Sequence, residues 1–158
     1  MAGQQAQGGS IILLSFVFLM VLMLLPLSDS LRFARPEFVL LGLIYWSMAL
    51  PQRVGITYAW LVGLMMDVLM GGMMGIMAFS YAFIIYMVLK FHLQLRQYPL
   101  WQQAAFIFTL VLLLQLLLVA LSSHTAGFHV FMPAVASTIL WPVIYAILRK
   151  LRRSFNVS

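Results

Sequence analysis

LWQQAAFIFTLVLLLQLLLVAL, from Leu100 to Leu121, carries no charged residue in 22 positions. As a helix rising 1.5 Å per residue it would be about 33 Å long, enough to cross a hydrocarbon layer of roughly 30 Å. Five further apolar runs are bounded by charge and turn residues: Ile11 to Leu27, Phe38 to Leu50, Val54 to Met70, Ile76 to Phe91 and Val130 to Leu148. Composition points the same way, since 65% of the 158 residues are hydrophobic and only 8% are charged. A soluble domain is about 45 to 50% apolar and about 25% charged, so this chain lacks the polar residues to cover a water-facing surface. The expected fold is an all-α, polytopic integral membrane bundle of about six segments. It is flanked by a cytoplasmic polar tail at residues 1–10 and a basic cytoplasmic tail at residues 149–158.

Six such segments use most of the chain and leave no room for a soluble catalytic or nucleic-acid-binding domain. The pI of 10.2 therefore points to topology and lipid, not to nucleic acid. The absence of cysteine removes disulfides, thiolate metal sites and cysteine nucleophiles together. The second run has only 13 residues. At about 20 Å it cannot span unaided, and Pro36, Glu37 and Pro51 limit its ends, so a short helix shielded by its neighbours or a re-entrant one is expected. The leading residues MAGQQAQGGS carry no basic side chain, so the first run reads as a retained anchor, although Ser28 and Ser30 imitate a small-x-small cleavage site.

Short basic loops stay cytoplasmic. With both termini inside, Arg53, Lys90, Arg96, Arg149, Lys150, Arg152 and Arg153 are cytoplasmic, and only Arg32 and Arg35 lie outside. The three acids, Asp29, Glu37 and Asp67, then fall in or beside the outer side.

Gly55, Ala59, Gly63 and Asp67 recur at steps of four, a small-xxx-small stripe that lets helix backbones approach in lipid. Asp67 is the acid inside an apolar run, where an ionised group costs about 2.5 to 3.5 kcal/mol at the bilayer centre. A structural ion pair or a helix-end cap is the plain reading, with Arg35 favoured over Arg32 as partner; a proton or ion site is the functional one. Gln115 should bond across to a neighbouring helix. His124 and His129 have no carboxylate or cysteine nearby to complete a tetrahedral metal set, and His92 belongs at an interface. Tyr45, Trp46, Tyr98, Trp101 and Trp141 read as boundary anchors. The run RKLRR, Arg149 to Arg153, should attract anionic lipid or a cytoplasmic partner. HExxH, GxSxG and a second membrane aspartate are missing, and Gly71, Gly72 and Gly75 read as a tight outer turn. No catalytic, cofactor or metal residue is assigned.

RPEFVLLGLIYWSMALPQRVGITYAWLVGLMMDVLMGGMMGIMA, from Arg35 to Ala78, resembles the MreD family of rod-shape-determining membrane proteins of Gram-negative bacteria. Trp101, Gln102 and Gln103, the LWP at Leu140 to Pro142 and the basic RKLRR extend the resemblance over about three quarters of the chain. It implies a non-enzymatic structural subunit of the cell-elongation machinery in the inner membrane. The implied partners are MreC above all, with MreB, RodZ, RodA and its penicillin-binding transpeptidase. It also implies a fold similar to vitamin-transporter substrate-binding subunits. That suggests an alternative, a small solute-binding subunit of a transporter. Such subunits carry an AxxxA docking patch in the first span, and Ile11 to Leu27 contains no alanine.

Overall fold

The computed structural model describes residues 2–122 and 127–157, with side chains from residue 8 onward. The chain runs through α1 (Ala2–Leu24), a single turn α2 (Asp29–Arg32), α3 (Phe38–Ala49), α4 (Ile56–Met70), α5 (Ile76–Gln97), α6 (Leu100–Ser122) and, after a 3-10 turn (Phe128–Val130), α7 (Phe131–Ser154). Three stretches, Ile76–Gln97, Leu100–Ser122 and Phe128–Ser154, are long and apolar enough to cross a bilayer. Gly8–Leu24, Phe38–Ala49 and Ile56–Met70 are shorter apolar helices. The protein is thus an all-α polytopic membrane protein.

The fold is organised around the shortest of these. Ten of the 12 residues of α3 are buried, on every side of the helix. A helix that is apolar all round is an interior one, and α1, α5 and α7 pack around it. Gly42 gives α1 its close approach, because a Cβ there would lie 2.4 Å from Leu19 Cδ1. The Trp46 indole donates to Ser15 Oγ on α1 at 3.0 Å. The outer helices instead bury one stripe each. On α4 the buried set is Ala59, Val62, Gly63, Met66 and Asp67, while Trp60, Leu61, Met65, Val68 and Leu69 face outward.

One expectation changes. Tyr45, Trp46 and Trp141 are not boundary anchors: all three are buried, whereas Trp101 is 71% exposed. Trp46 belongs to the central helix, and Trp141 lies on the inward stripe of α7, where its indole finds Gln103 Oε1 at 3.3 Å. Helix α1 already begins at Ala2 and α7 runs on to Ser154, because alanine, glutamine, lysine, leucine and arginine all favour helix.

The end of α7 is closed by a Schellman turn. Asn156 adopts a left-handed φ of 48°, its N–H donates to Arg153 O at 3.4 Å, and the Val157 N–H donates to Arg152 O at 3.1 Å. Val157 is tucked in at 4% exposure. A Cβ on Gly8 would lie 3.4 Å from Val157 Cγ1 and 2.6 Å from Arg53 Nη1. The start of α1, the α3–α4 turn and the end of α7 therefore share one end of the bundle.

Candidate functional site: buried polar side chains that close helix ends

An α-helix leaves its first N–H groups and last carbonyls without partners, and lipid supplies none. Three helix ends in this bundle are closed by polar side chains from other elements.

At the opposite end from the termini, the N-cap of α5 is Gly75, which has φ 101° and no side chain to offer. Asp67, in the last turn of α4, supplies the acceptor. Its Oδ2 receives the Gly75 N–H at 2.8 Å and the Ala78 N–H at 3.3 Å, and its Oδ1 receives the Met77 N–H at 3.0 Å. Negative charge at a helix N-terminus is favoured by the backbone dipoles, and bonds to a charged acceptor are the stronger kind. Gly63, one turn earlier, makes this possible: a Cβ there would fall 2.4 Å from Ala78 Cα and 2.7 Å from Met77 O. Glycine and aspartate at this spacing form one device, the first admitting the turn and the second capping it.

The expected pairing of Asp67 with Arg35 is therefore corrected. Asp67 accepts backbone N–H groups of α5, and Arg35 is engaged elsewhere. Its Nη1 and Nη2 donate to the carbonyls of Met23 and Leu25, at the end of α1. Orphan carbonyls at a helix C-terminus attract a cation, which draws the guanidinium across to α1.

Two residues later, Glu37 enters the bundle at 5% exposure. Its backbone N–H donates to Ser137 Oγ of α7 at 3.0 Å, and its Oε1 accepts from the Gln115 amide of α6 at 2.9 Å. Gln115 lies seven residues before the end of α6 and Ser137 six after the start of α7, each about 10 Å along its helix. The start of α3 is thus sunk by about that depth. Tyr81, fully buried on α5, lies within electrostatic reach of both carboxylates. Among the described residues, the buried side-chain atoms without a hydrogen-bond partner are Arg35 Nε, Glu37 Oε2, Ser80 Oγ and Tyr81 OH.

The third closed end belongs to α5 at the termini side. Gln103 Nε2 donates to Leu95 O at 2.8 Å and Tyr98 O at 3.3 Å.

The remaining sequence candidates are dispersed. Gly55 precedes α4 as its N-cap, and Ala59 is fully buried. Arg53 is half-buried at the α3–α4 turn, and Arg149, Lys150 and Arg153 are exposed. Half-buried Arg152 turns inward, lying within electrostatic reach of the Tyr45 phenol and donating from Nε to Val157 O at 3.4 Å. His92 Nδ1 contacts Leu89 O. His129 stacks on Phe33 with ring centroids 4.3 Å apart, and His124 lies outside the described residues. No group of three His, Asp or Glu suited to a metal occurs among the described residues. Sequence reading passed over Ser137 and Tyr81. The signal available was a lone polar group within an apolar run, which marks a buried position without naming its partner.

These features define a class: a small multispanning helical membrane protein whose buried polar side chains serve helix-to-helix closure. The chain belongs to the MreD family, matching over residues 4–151 the family model described as rod shape-determining protein MreD. It is similar to "Rod shape-determining protein MreD" of Haemophilus influenzae (strain ATCC 51907 / DSM 11121 / KW20 / Rd), being 36% identical over 150 residues that cover 92% of this chain and 93% of that protein. No solved structure matches. The chain is accordingly a non-enzymatic, multi-pass inner-membrane protein of cell-shape determination.

Proposed function

We propose that the chain is a structural subunit that assembles the cell-elongation complex, chiefly by contacting MreC, beside MreB, RodZ, RodA and its penicillin-binding transpeptidase. The observation that carries this reading is the family match over residues 4–151. The buried polar groups fit it, since Asp67, Gln103, Glu37 and Gln115 spend their bonds on helix ends and helix contacts. Depletion in a rod-shaped host should give round, enlarged cells and poor co-recovery of MreC with RodA. Cells that keep their rod shape but lose uptake of one small solute would instead move the assignment to a solute-binding transporter subunit. The unpartnered atoms at Glu37 and Tyr81 are the observation that favours that second reading. The likeness to vitamin-transporter substrate-binding subunits belongs with it and rests on the family resemblance.

Both termini lie in the cytoplasm in this proposal, because the end of the bundle that holds them also carries seven of the nine basic residues. Alkaline phosphatase joined after residue 126 should be active and one joined after residue 96 inactive; the reverse pattern would sink this orientation.

A further inference from the structure

Seen down its axis, α7 is divided. With about 100° per residue and Arg149 set at zero, buried Ala134, Ser137, Trp141, Ile144 and Leu148 fall in one sector from about 220° to 300°. Met132, Val135, Ile139, Val143 and Ile147, each 47% to 70% exposed, fall in the opposite sector from about 40° to 160°. That apolar stripe leads straight into three exposed cations: Arg149 at zero, Arg153 at about 40° and Lys150 at about 100°. Arg152, at about 300°, is on the inward side, in keeping with its half-burial and its bond to Val157 O.

Arg149 and Lys150 lie four and three residues before Arg153, so each is its neighbour on the helix surface and the like charges repel. The Schellman turn and buried Val157 hold this turn of helix in place, so the three cannot spread apart as they would on a loose tail. No acidic side chain lies near, since those of the chain are Asp29, Glu37 and Asp67, none of them at this end. An anion from outside the chain would relieve the repulsion.

We propose that this face of α7 is a binding site for an anionic phospholipid, with the phosphate among Arg149, Lys150 and Arg153 and an acyl chain along Ile147, Val143 and Ile139. The continuity of the stripe with the triad selects the occupant. A free phosphate has nothing to lay on the apolar residues, and a soluble acidic peptide would have to displace lipid from them. Exposed Trp101 and Tyr98, on the same end of the bundle, suit the same headgroup level.

The test uses the full-length chain purified in mild detergent with phosphatidylglycerol or phosphatidylcholine, scoring retained lipid by native mass spectrometry. Phosphatidylglycerol should be retained over phosphatidylcholine, and excess inorganic phosphate should not displace it. The variant R149Q/K150Q/R153Q should lose phosphatidylglycerol retention by more than about tenfold, since each cation near a membrane surface contributes and three are removed. R149K/R153K should keep it, which separates loss of charge from loss of fold. The double variant K90Q/R96Q, also at this end but off the sector, should stay within about twofold of wild type. Three results would overturn the proposal: unchanged retention in the triple variant, displacement by phosphate alone, or equal loss in K90Q/R96Q, which would mean diffuse charge and no site.

Discussion

Asp67 and Glu37 are both buried carboxyl groups, yet they are served differently. Asp67 has both oxygens occupied by three backbone N–H groups of one helix start. Glu37 has one oxygen on a neutral amide and the other on no partner among the described residues. Asp67 joins two helices that are consecutive in the chain and acts as a cap. Glu37 joins α3 to α6 and α7, using its own backbone N–H as well as its side chain. Burial alone does not reveal a carboxyl group's role; the number and kind of its donors does.

That difference can be pressed experimentally. The largest effect should come from Gly63→Leu, because the new side chain meets the backbone of Ala78 and Met77, atoms that cannot swing aside. A loss of about 3 kcal/mol or more, read by denaturant unfolding in mixed micelles, is expected. Leu61→Ile, on the exposed face, should leave unfolding unchanged; equal tolerance at both positions would remove the close approach from the account.

Next comes Asp67→Ala, which strips three N–H groups of a charged acceptor and should cost about 2 to 3 kcal/mol. Asp67→Asn keeps an acceptor oxygen and should cost about 1 kcal/mol. If asparagine were as damaging as alanine, the charge rather than the acceptor would be what α5 needs.

A smaller effect is expected at Glu37, where Glu37→Ala should cost about 1 to 2 kcal/mol by stranding the Gln115 amide. A double-mutant cycle with Gln115→Ala should return a coupling of about 1 kcal/mol, and a coupling near zero would dissolve the α3–α6 link.

The smallest quantity is the coupling between Arg35 and Asp67. Because they close different helices, Arg35→Gln and Asp67→Asn should add to within about 0.5 kcal/mol. Strong non-additivity would restore the ion pair that their bonding partners argue against.

The six apolar runs were legible because lipid imposes one crude demand, apolar side chains over a fixed length, that any reading of charge can detect. The short second run was legible as a helix needing shelter, and Gly63 with Asp67 as a polar and a small residue sharing a face. Their partners were not. Which helix start Asp67 caps depends on how α4 meets α5. Glu37 finds Gln115 and Ser137 at 78 and 100 positions along the chain, and no local pattern encodes such separations. The same holds for Trp46 and Trp141, whose indoles suit a membrane boundary as well as a buried acceptor. Where α7 stops was not legible either, because a helix extends wherever propensity allows until a cap such as left-handed Asn156 ends it.

The shortness and complete enclosure of α3 set an order in time. The ribosome delivers α3 after α1 and before every other helix that covers it, and the last of these, α7 with Ser137, is also the last to be made. Until then the newborn segment has a bare flank and an unanswered N–H at Glu37, and it is too brief to rest across the bilayer alone. Insertion and assembly are therefore separate events here. A nascent chain halted before α7 lacks the hydroxyl that accepts the Glu37 N–H and the helix that covers that flank of α3.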